Sequence, residues 1–327
     1  MTKDSRLGQM RGPYRLESEI GRGGYGTVYE ARHTQTRGLF ALKVLDEDLH
    51  RDVANVRERF KNEILALKDL RHANIVHIVD DGLPDSYFYA MEQLRGKSLA
   101  QRLEARERSL AMSVEWAIQI ADALTYAHEQ KYVHRDINPS NIFITPMNEA
   151  KLLDFGLAKQ TDSVQNLTQQ GDTHGTLRYM APERFNSPQS TLMNSDQFAL
   201  GAVLFECIEG RHAFDGPTSA VIMNRIFTTT PQLTYDRANI DIVETIIDRA
   251  LQKDPDERFP SMKALANALR EAKQQLIARG DGPPAVGPIS SPDLTGPVLP
   301  PTKTFAARQP QRPPKTVTNT VNAPAPA

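Results

Sequence analysis

The 327-residue chain carries 39 basic and 40 acidic side chains, for a net charge of −1, and is 39% hydrophobic, which suits roughly two folded domains of about 150 residues each. That balance excludes the global basic field that draws nucleic acid. A single cysteine, Cys207, excludes an internal disulfide and fits a reducing compartment; no run of about 18 apolar residues could span a bilayer, and residues 1–12 hold no apolar signal core, so a cytoplasmic location is expected.

In chain order, residues 14–20 alternate as a strand. Gly21-Arg22-Gly23-Gly24-Tyr25-Gly26 follows, and a second β-prone run occupies residues 27–31. Glycines let backbone amides approach an anion. A dinucleotide-binding turn would be followed by a helix, whereas here a strand follows, which favours a hairpin lid over phosphates. Alone, the pattern suits a plain β-turn equally well. In the next strand, residues 39–44, Ala41 and Lys43 share one face and Phe40 and Leu42 the other. A lysine in an apolar strand needs a partner. Glu63 lies on the apolar stripe of a predicted helix over about 52–70, marked by Phe60, Ile64 and Leu67. It is either a solvated helix glutamate or the partner of Lys43.

Residues 87–91 read as a buried strand leading into Glu92-Gln93-Leu94, and a helix is predicted over about 113–130 with Ser113 as its cap. Trp116 and Cys207 read as packing residues. Then come His134-Arg135-Asp136-Ile137-Asn138-Pro139-Ser140-Asn141 and Asp154-Phe155-Gly156. They set a lone acid, Asp136, an amide, Asn141, and a second acid, Asp154, where a nucleotide triphosphate could be held and attacked.

These motifs, together with Ala181-Pro182-Glu183, Asp196, Gly201 and Arg258, occur in an order that resembles the eukaryotic-type serine/threonine protein kinases, and the general style is that of bacterial members. The resemblance runs from about Tyr14 to Leu276. It implies an α+β, two-lobed protein kinase fold: an extension over 1–9, a small β-rich N-lobe over 10–93, a larger helical C-lobe over 94–278 and a tail over 279–327. It implies ATP and Mg²⁺, with Ile20, Gly21, Arg22, Gly23, Gly24, Tyr25, Gly26, Thr27, Val28, Ala41, Lys43, Glu63, Met91, Glu92, Leu94 and Phe143 around the nucleotide. Asn141 and Asp154 would hold metal, and Asp136 would act as base, assisted by Lys43, Asn138 and Thr176. Arg258 would pair with Glu183. Leu67, Ile78, His134 and Phe155 would stack between the lobes.

One position departs from the family. Two residues after the base, where lysine is usual, stands Asn138, which can donate a hydrogen bond but carries no charge. The expectation is slowed transfer of the γ-phosphoryl group to protein Ser/Thr hydroxyls; the alternative is a nucleotide-binding pseudokinase or scaffold. A weaker third reading, transfer to a small-molecule alcohol, runs against the peptide-like 176–183 segment. Pro139-Ser140 and Gly175-Thr176 resemble the Ser/Thr branch. Arg135, with Lys159, would receive a phosphate on the activation segment, where Thr168 and Thr173 are the preferred sites of self-phosphorylation. Finally, 12 of the 22 prolines lie from Pro283 onward. That composition predicts a disordered tail over 281–327, serving as a tether or as a ligand for a domain that recognises Pro-rich peptides.

Overall fold

The computed structural model describes residues 6–23, 26–46, 53–84, 86–155, 174–186, 193–234 and 239–281. The 281–327 tail apart from Asp281, and the segment carrying Gly156, Lys159, Thr168 and Thr173, lie outside the described residues, as do Gly24 and Tyr25.

The N-terminal part is a six-stranded antiparallel sheet in the order β1-β2-β3-β4-β6-β5. Its strands are β1 (Met10–Arg11), β2 (Tyr14–Arg22), β3 (Gly26–His33), β4 (Leu39–Leu45), β5 (Ile78–Asp81) and β6 (Phe88–Glu92). The period-2 alternation of β4 and β6 divides the core in two. Phe40, Leu42, Phe88 and Ala90 pack with Tyr14 and Tyr29 on one face. Ala41, Tyr89 and Met91 join the other face, under helix α1 (Val53–Asp69). The helix turns Val56, Phe60, Glu63, Ile64 and Leu67 inward, a stripe at helical spacing.

The second part is helical: α2 (Leu99–Glu104), α3 (Leu110–Glu129), α4 (His174–Leu177), α5 (Glu183–Asn186), α6 (Asn194–Glu209), α7 (Ser219–Thr228), α8 (Asp241–Ala250) and α9 (Met262–Ala278). A small antiparallel sheet of β7 (Lys97–Ser98), β8 (Ile142–Ile144) and β9 (Ala150–Leu152) adjoins α3. The α3 helix packs against both α9 and α6, and α6 against α8. Gly201 of α6 permits that last contact, since a Cβ there would meet Ala250 at 2.9 Å.

The long helix begins one turn earlier than expected. Ser109, not Ser113, is its cap, accepting from the Met112 N–H, while Ser113 lies inside the helix and donates to the Ser109 carbonyl at 2.8 Å. Both serines suit a cap by residue type; burial of Leu110 and Ala111 against the core decides for the earlier one. Trp116 and Cys207 are buried in the core, as their setting suggested.

Candidate active site

The glycine-rich segment is the β2–β3 hairpin, with Gly21 opposite Val28 and Arg22 opposite Thr27. The Gly23 N–H donates to the Gly26 carbonyl at 2.8 Å. Gly26 is needed sterically, because a Cβ there would sit 2.4 Å from the Val44 carbonyl oxygen. Ile20 is exposed, and Arg22 lies on the surface with Glu19. Val28 and Leu94 pack against the cluster that holds Ala41 and Met91, which face each other across β4 and β6. Thr27 is fully buried and engaged elsewhere: its hydroxyl donates to Asp46 at 2.6 Å. Glu92 accepts from Lys151 at 2.7 Å and from the His77 N–H at 3.0 Å. Among the described residues, the backbone N–H and C=O of Leu94 take no protein partner. Phe143 lies half-buried on β8.

Below the sheet, four polar side chains meet. Lys43 Nζ lies 2.8 Å from Glu63 Oε1 and 3.0 Å from Asp154 Oδ1, so the lysine finds the partner its strand position required. The Tyr89 hydroxyl reaches the same two oxygens, at 2.8 and 3.1 Å. Burial works against the Lys43 ammonium, but Asp154 and Glu63 outweigh it and hold the proton on. One ammonium cannot neutralise two carboxylates equally. Glu63, in the drier position, has its pKa raised by burial; Asp154 is also opposed by burial, but Lys43 pulls its carboxyl below the ordinary range. Asp154 keeps 38% of its side chain accessible.

The loop that follows α3 is held from beneath. Asp196 of α6 accepts from the His134 N–H at 3.0 Å, from the Arg135 N–H at 2.9 Å and lies 2.8 Å from His128 Nε2. These donors secure Arg135 at φ 68°, a backbone state uncommon for a side-chain-bearing residue. The His134 ring touches the Leu153 carbonyl at 2.9 Å and packs against Phe155 with centroids 4.6 Å apart. Leu67, Ile78 and Phe155 are all buried in the main core cluster.

Asn141 Nδ2 donates to the Asp136 carbonyl at 2.8 Å and to Asp136 Oδ2 at 2.9 Å, which leaves its amide oxygen as the available donor for a cation. The Asn141 carbonyl accepts from the Leu153 N–H at 2.9 Å, tying the base to the segment before Asp154. One carboxylate oxygen from Asp154 and one amide oxygen from Asn141 fit a hard cation that keeps waters and phosphate oxygens. No group of three or more His, Cys, Asp or Glu side chains among the described residues competes for such an ion.

Asn138 is committed to the loop: its Oδ1 accepts from the Ser140 N–H at 2.9 Å and its Nδ2 donates to the Asp136 carbonyl at 3.0 Å. A different cation approaches. Arg184, buried in α5, donates through Nη1 to the Arg135 carbonyl; burial lowers its pKa, while Asp196 and Asp136 pull the other way. Thr176 lies half-buried in α4, its carbonyl accepting from the Tyr179 N–H at 3.2 Å. Glu183 and Arg258 form a two-pronged pair, with both N···O distances 2.8 Å.

Sequence reasoning did not single out Tyr89, His128 or Arg184. For Tyr89 a signal existed: the β4–β6 pairing sets it directly opposite Lys43. Nothing local marks His128 or Arg184, whose partners are distant in sequence.

The chain resembles known proteins over most of its length. The protein kinase domain family matches residues 14–269. The chain is 37% identical over 275 residues to the serine/threonine-protein kinase PknE of Mycobacterium bovis, covering 83% of this chain and 48% of that one. It is 36% identical over 274 residues to PknH of Mycobacterium tuberculosis, covering 83% and 43%. The crystal structure of the Mycobacterium tuberculosis PknI kinase domain superposes with a TM-score of 0.62 at 26% identity, over 81% of this chain and 98% of that one. The chain spans about half the length of the curated relatives it matches. With its β-sheet N-lobe, its helical C-lobe and the matched family spanning both, the chain belongs to the protein kinase domain family.

Proposed function

We propose that the chain is an ATP-dependent serine/threonine protein kinase. The observation that carries this reading is an unbroken run of contacts from Lys43 through Asp154, and from Leu153 through Asn141 to Asp136. It joins a phosphate-seeking cation, two oxygen donors and a base. Phosphoryl transfer asks for little more than such positioning and charge. The substrate hydroxyl oxygen bonds to the γ-phosphorus as the bond to the β-phosphate bridge breaks. Asp136 takes the hydroxyl proton, and ADP leaves. Mg²⁺, held by Asp154 and Asn141, would neutralise phosphate charge. The relatives' names as serine/threonine-protein kinases support Ser/Thr acceptors, as do Pro139-Ser140 and Thr176.

Transfer of label from radiolabelled ATP to protein, compared between wild type and Asp136→Asn, tests this. The variant is expected to lose about 10²–10⁴-fold in rate; label on neither protein would favour a nucleotide-binding scaffold, the reading that Asn138 supports. Against that second reading, Arg184 brings positive charge toward Asp136. Asn138→Lys is expected to raise turnover about tenfold and, because it removes the cap on the Ser140 N–H, to cost about 1 kcal/mol of stability.

We place the lobe boundary near residues 93–94, after β6, and control of the site in phosphorylation of Thr168 or Thr173 by a second copy or by the chain itself. Arg184 lies close enough to oppose the charge of Arg135, a setting that favours an incoming phosphate. The Pro-rich 281–327 segment would tether or dock partners. Among the described residues no helix is long and apolar enough to cross a membrane; a need for ATP would suit a cytoplasmic location for this part.

A further inference from the structure

Tyr89 is a fully buried polar group at the centre of the site to which the reaction outlined above gives no part. We propose that its hydroxyl is a positioning residue for the metal-binding carboxylate: with Lys43 it fixes Asp154 Oδ1, which leaves Oδ2 of this partly accessible side chain as the oxygen for the cation. The inference rests on the kinase reading, since it assigns Asp154 to metal.

A buried tyrosine needs one hydrogen-bond acceptor. Tyr89 has two, Glu63 Oε1 at 2.8 Å and Asp154 Oδ1 at 3.1 Å, drawn from α1 and from the segment after β9. They are the same two oxygens that Lys43 contacts. Directly paired residues of neighbouring strands project to one face, so the Lys43–Tyr89 pairing delivers ammonium and phenol to one point. The ring is held independently by Phe60, with centroids 5.5 Å apart, and by the Lys43 ammonium 5.7 Å from its centroid. The hydroxyl is thus aimed by a rigid strand at a residue whose own backbone is unusual, Asp154 at φ 36°. A single phenolic proton serves one acceptor at a time. When Asp154 turns its charge toward a cation, the proton can pass its weight to Glu63 without any change of place, and the Lys43–Glu63 pair is retained.

The test is Tyr89→Phe, which removes one oxygen and keeps the ring. Binding of a non-hydrolysable ATP analogue is titrated calorimetrically over a series of free Mg²⁺ concentrations, alongside thermal unfolding. For the variant, the Mg²⁺ concentration that half-maximally strengthens analogue binding should rise about 3- to 10-fold, with affinity in chelator unchanged within about twofold. An unchanged Mg²⁺ midpoint overturns the role of Tyr89 and leaves the kinase reading standing. Equal loss of affinity with and without Mg²⁺, accompanied by a large fall in Tm, marks Tyr89 as a core residue only and also overturns it. Wild-type protein whose analogue binding ignores Mg²⁺ overturns both.

Discussion

Glu63 and Asp196 are both buried carboxylates within the same domain, yet they are held in opposite ways. Asp196 receives two backbone N–H groups and His128. Burial opposes its ionisation, but the bond from His128 above all overcomes it, and its pKa falls below the ordinary value. Glu63 receives two side chains, Lys43 and Tyr89, which it shares with Asp154, and burial wins, raising its pKa. Asp196 thus fixes its loop with permanent donors, while Lys43 and Glu63 of the sheet lobe meet Asp154 of the other lobe in a cluster with one carboxylate more than its ammonium can balance. The first arrangement resists change. The second carries surplus negative charge, which a divalent cation held by Asp154 would offset.

The sharpest way to break the fixed half is at its other buried ion pair. Arg258 is 1% exposed and satisfies Glu183 twice, as well as the carbonyls of Gln252 and Asn194. Replacing it with leucine strands the Glu183 carboxylate. Arg258→Leu should cost about 3–5 kcal/mol in urea denaturation; a loss below about 1 kcal/mol would show that water reaches Glu183 and that this anchor is not fixed.

Asp196→Asn comes next, at about 2–3 kcal/mol, because the amide can accept from one backbone N–H but turns its own N–H₂ toward the other. The sign of the acid response follows from the lowered pKa. An acid whose folded pKa is depressed contributes stability above its unfolded value, near 3.9, and that contribution is lost as pH falls through the folded value. The groups facing Asp196 are His128, His134, Arg135 and Arg184. Wild type should therefore lose stability more steeply than Asp196→Asn between about pH 5 and pH 3. Parallel denaturation midpoints over that range would rule the carboxylate out as the acid-labile element.

The same contrast explains what could be read from the sequence. The Lys43–Glu63 pair was legible because two periodicities converge: alternation put Lys43 on the face of Ala41, and helical spacing put Glu63 among Phe60, Ile64 and Leu67. The helix cap is legible only to within one turn, because Ser109 and Ser113 are locally equivalent and only burial of Leu110 and Ala111 separates them. Asn138 announced a missing charge, but the hydrogen bonds that occupy its amide depend on a loop conformation that no pattern states. Thr27 stood beside the glycines as a nucleotide contact, and its side chain instead turns to Asp46, nineteen residues away. The links from His128 and His134 to Asp196 span more than sixty residues. Such contacts are tertiary facts, and strand or helix periodicity carries no trace of them.

The smallest expected stability effect is at the adjustable half, and it is the more telling for that. Glu63→Gln keeps the shape and the acceptor for Lys43 and Tyr89 while removing the surplus charge. Because burial already penalises the Glu63 carboxylate, denaturation should shift by less than about 1 kcal/mol in either direction, unlike the losses at Arg258 and Asp196. Phosphoryl transfer should still fall, by about 10- to 100-fold, because Lys43 would then be drawn to Asp154 alone and away from the phosphates. A fall in stability as large as that of Asp196→Asn would mean that both carboxylates are structural anchors, and the distinction between a fixed floor and an adjustable wall would be lost. Unchanged stability with unchanged transfer would instead mean that Lys43 needs no second partner to hold its place.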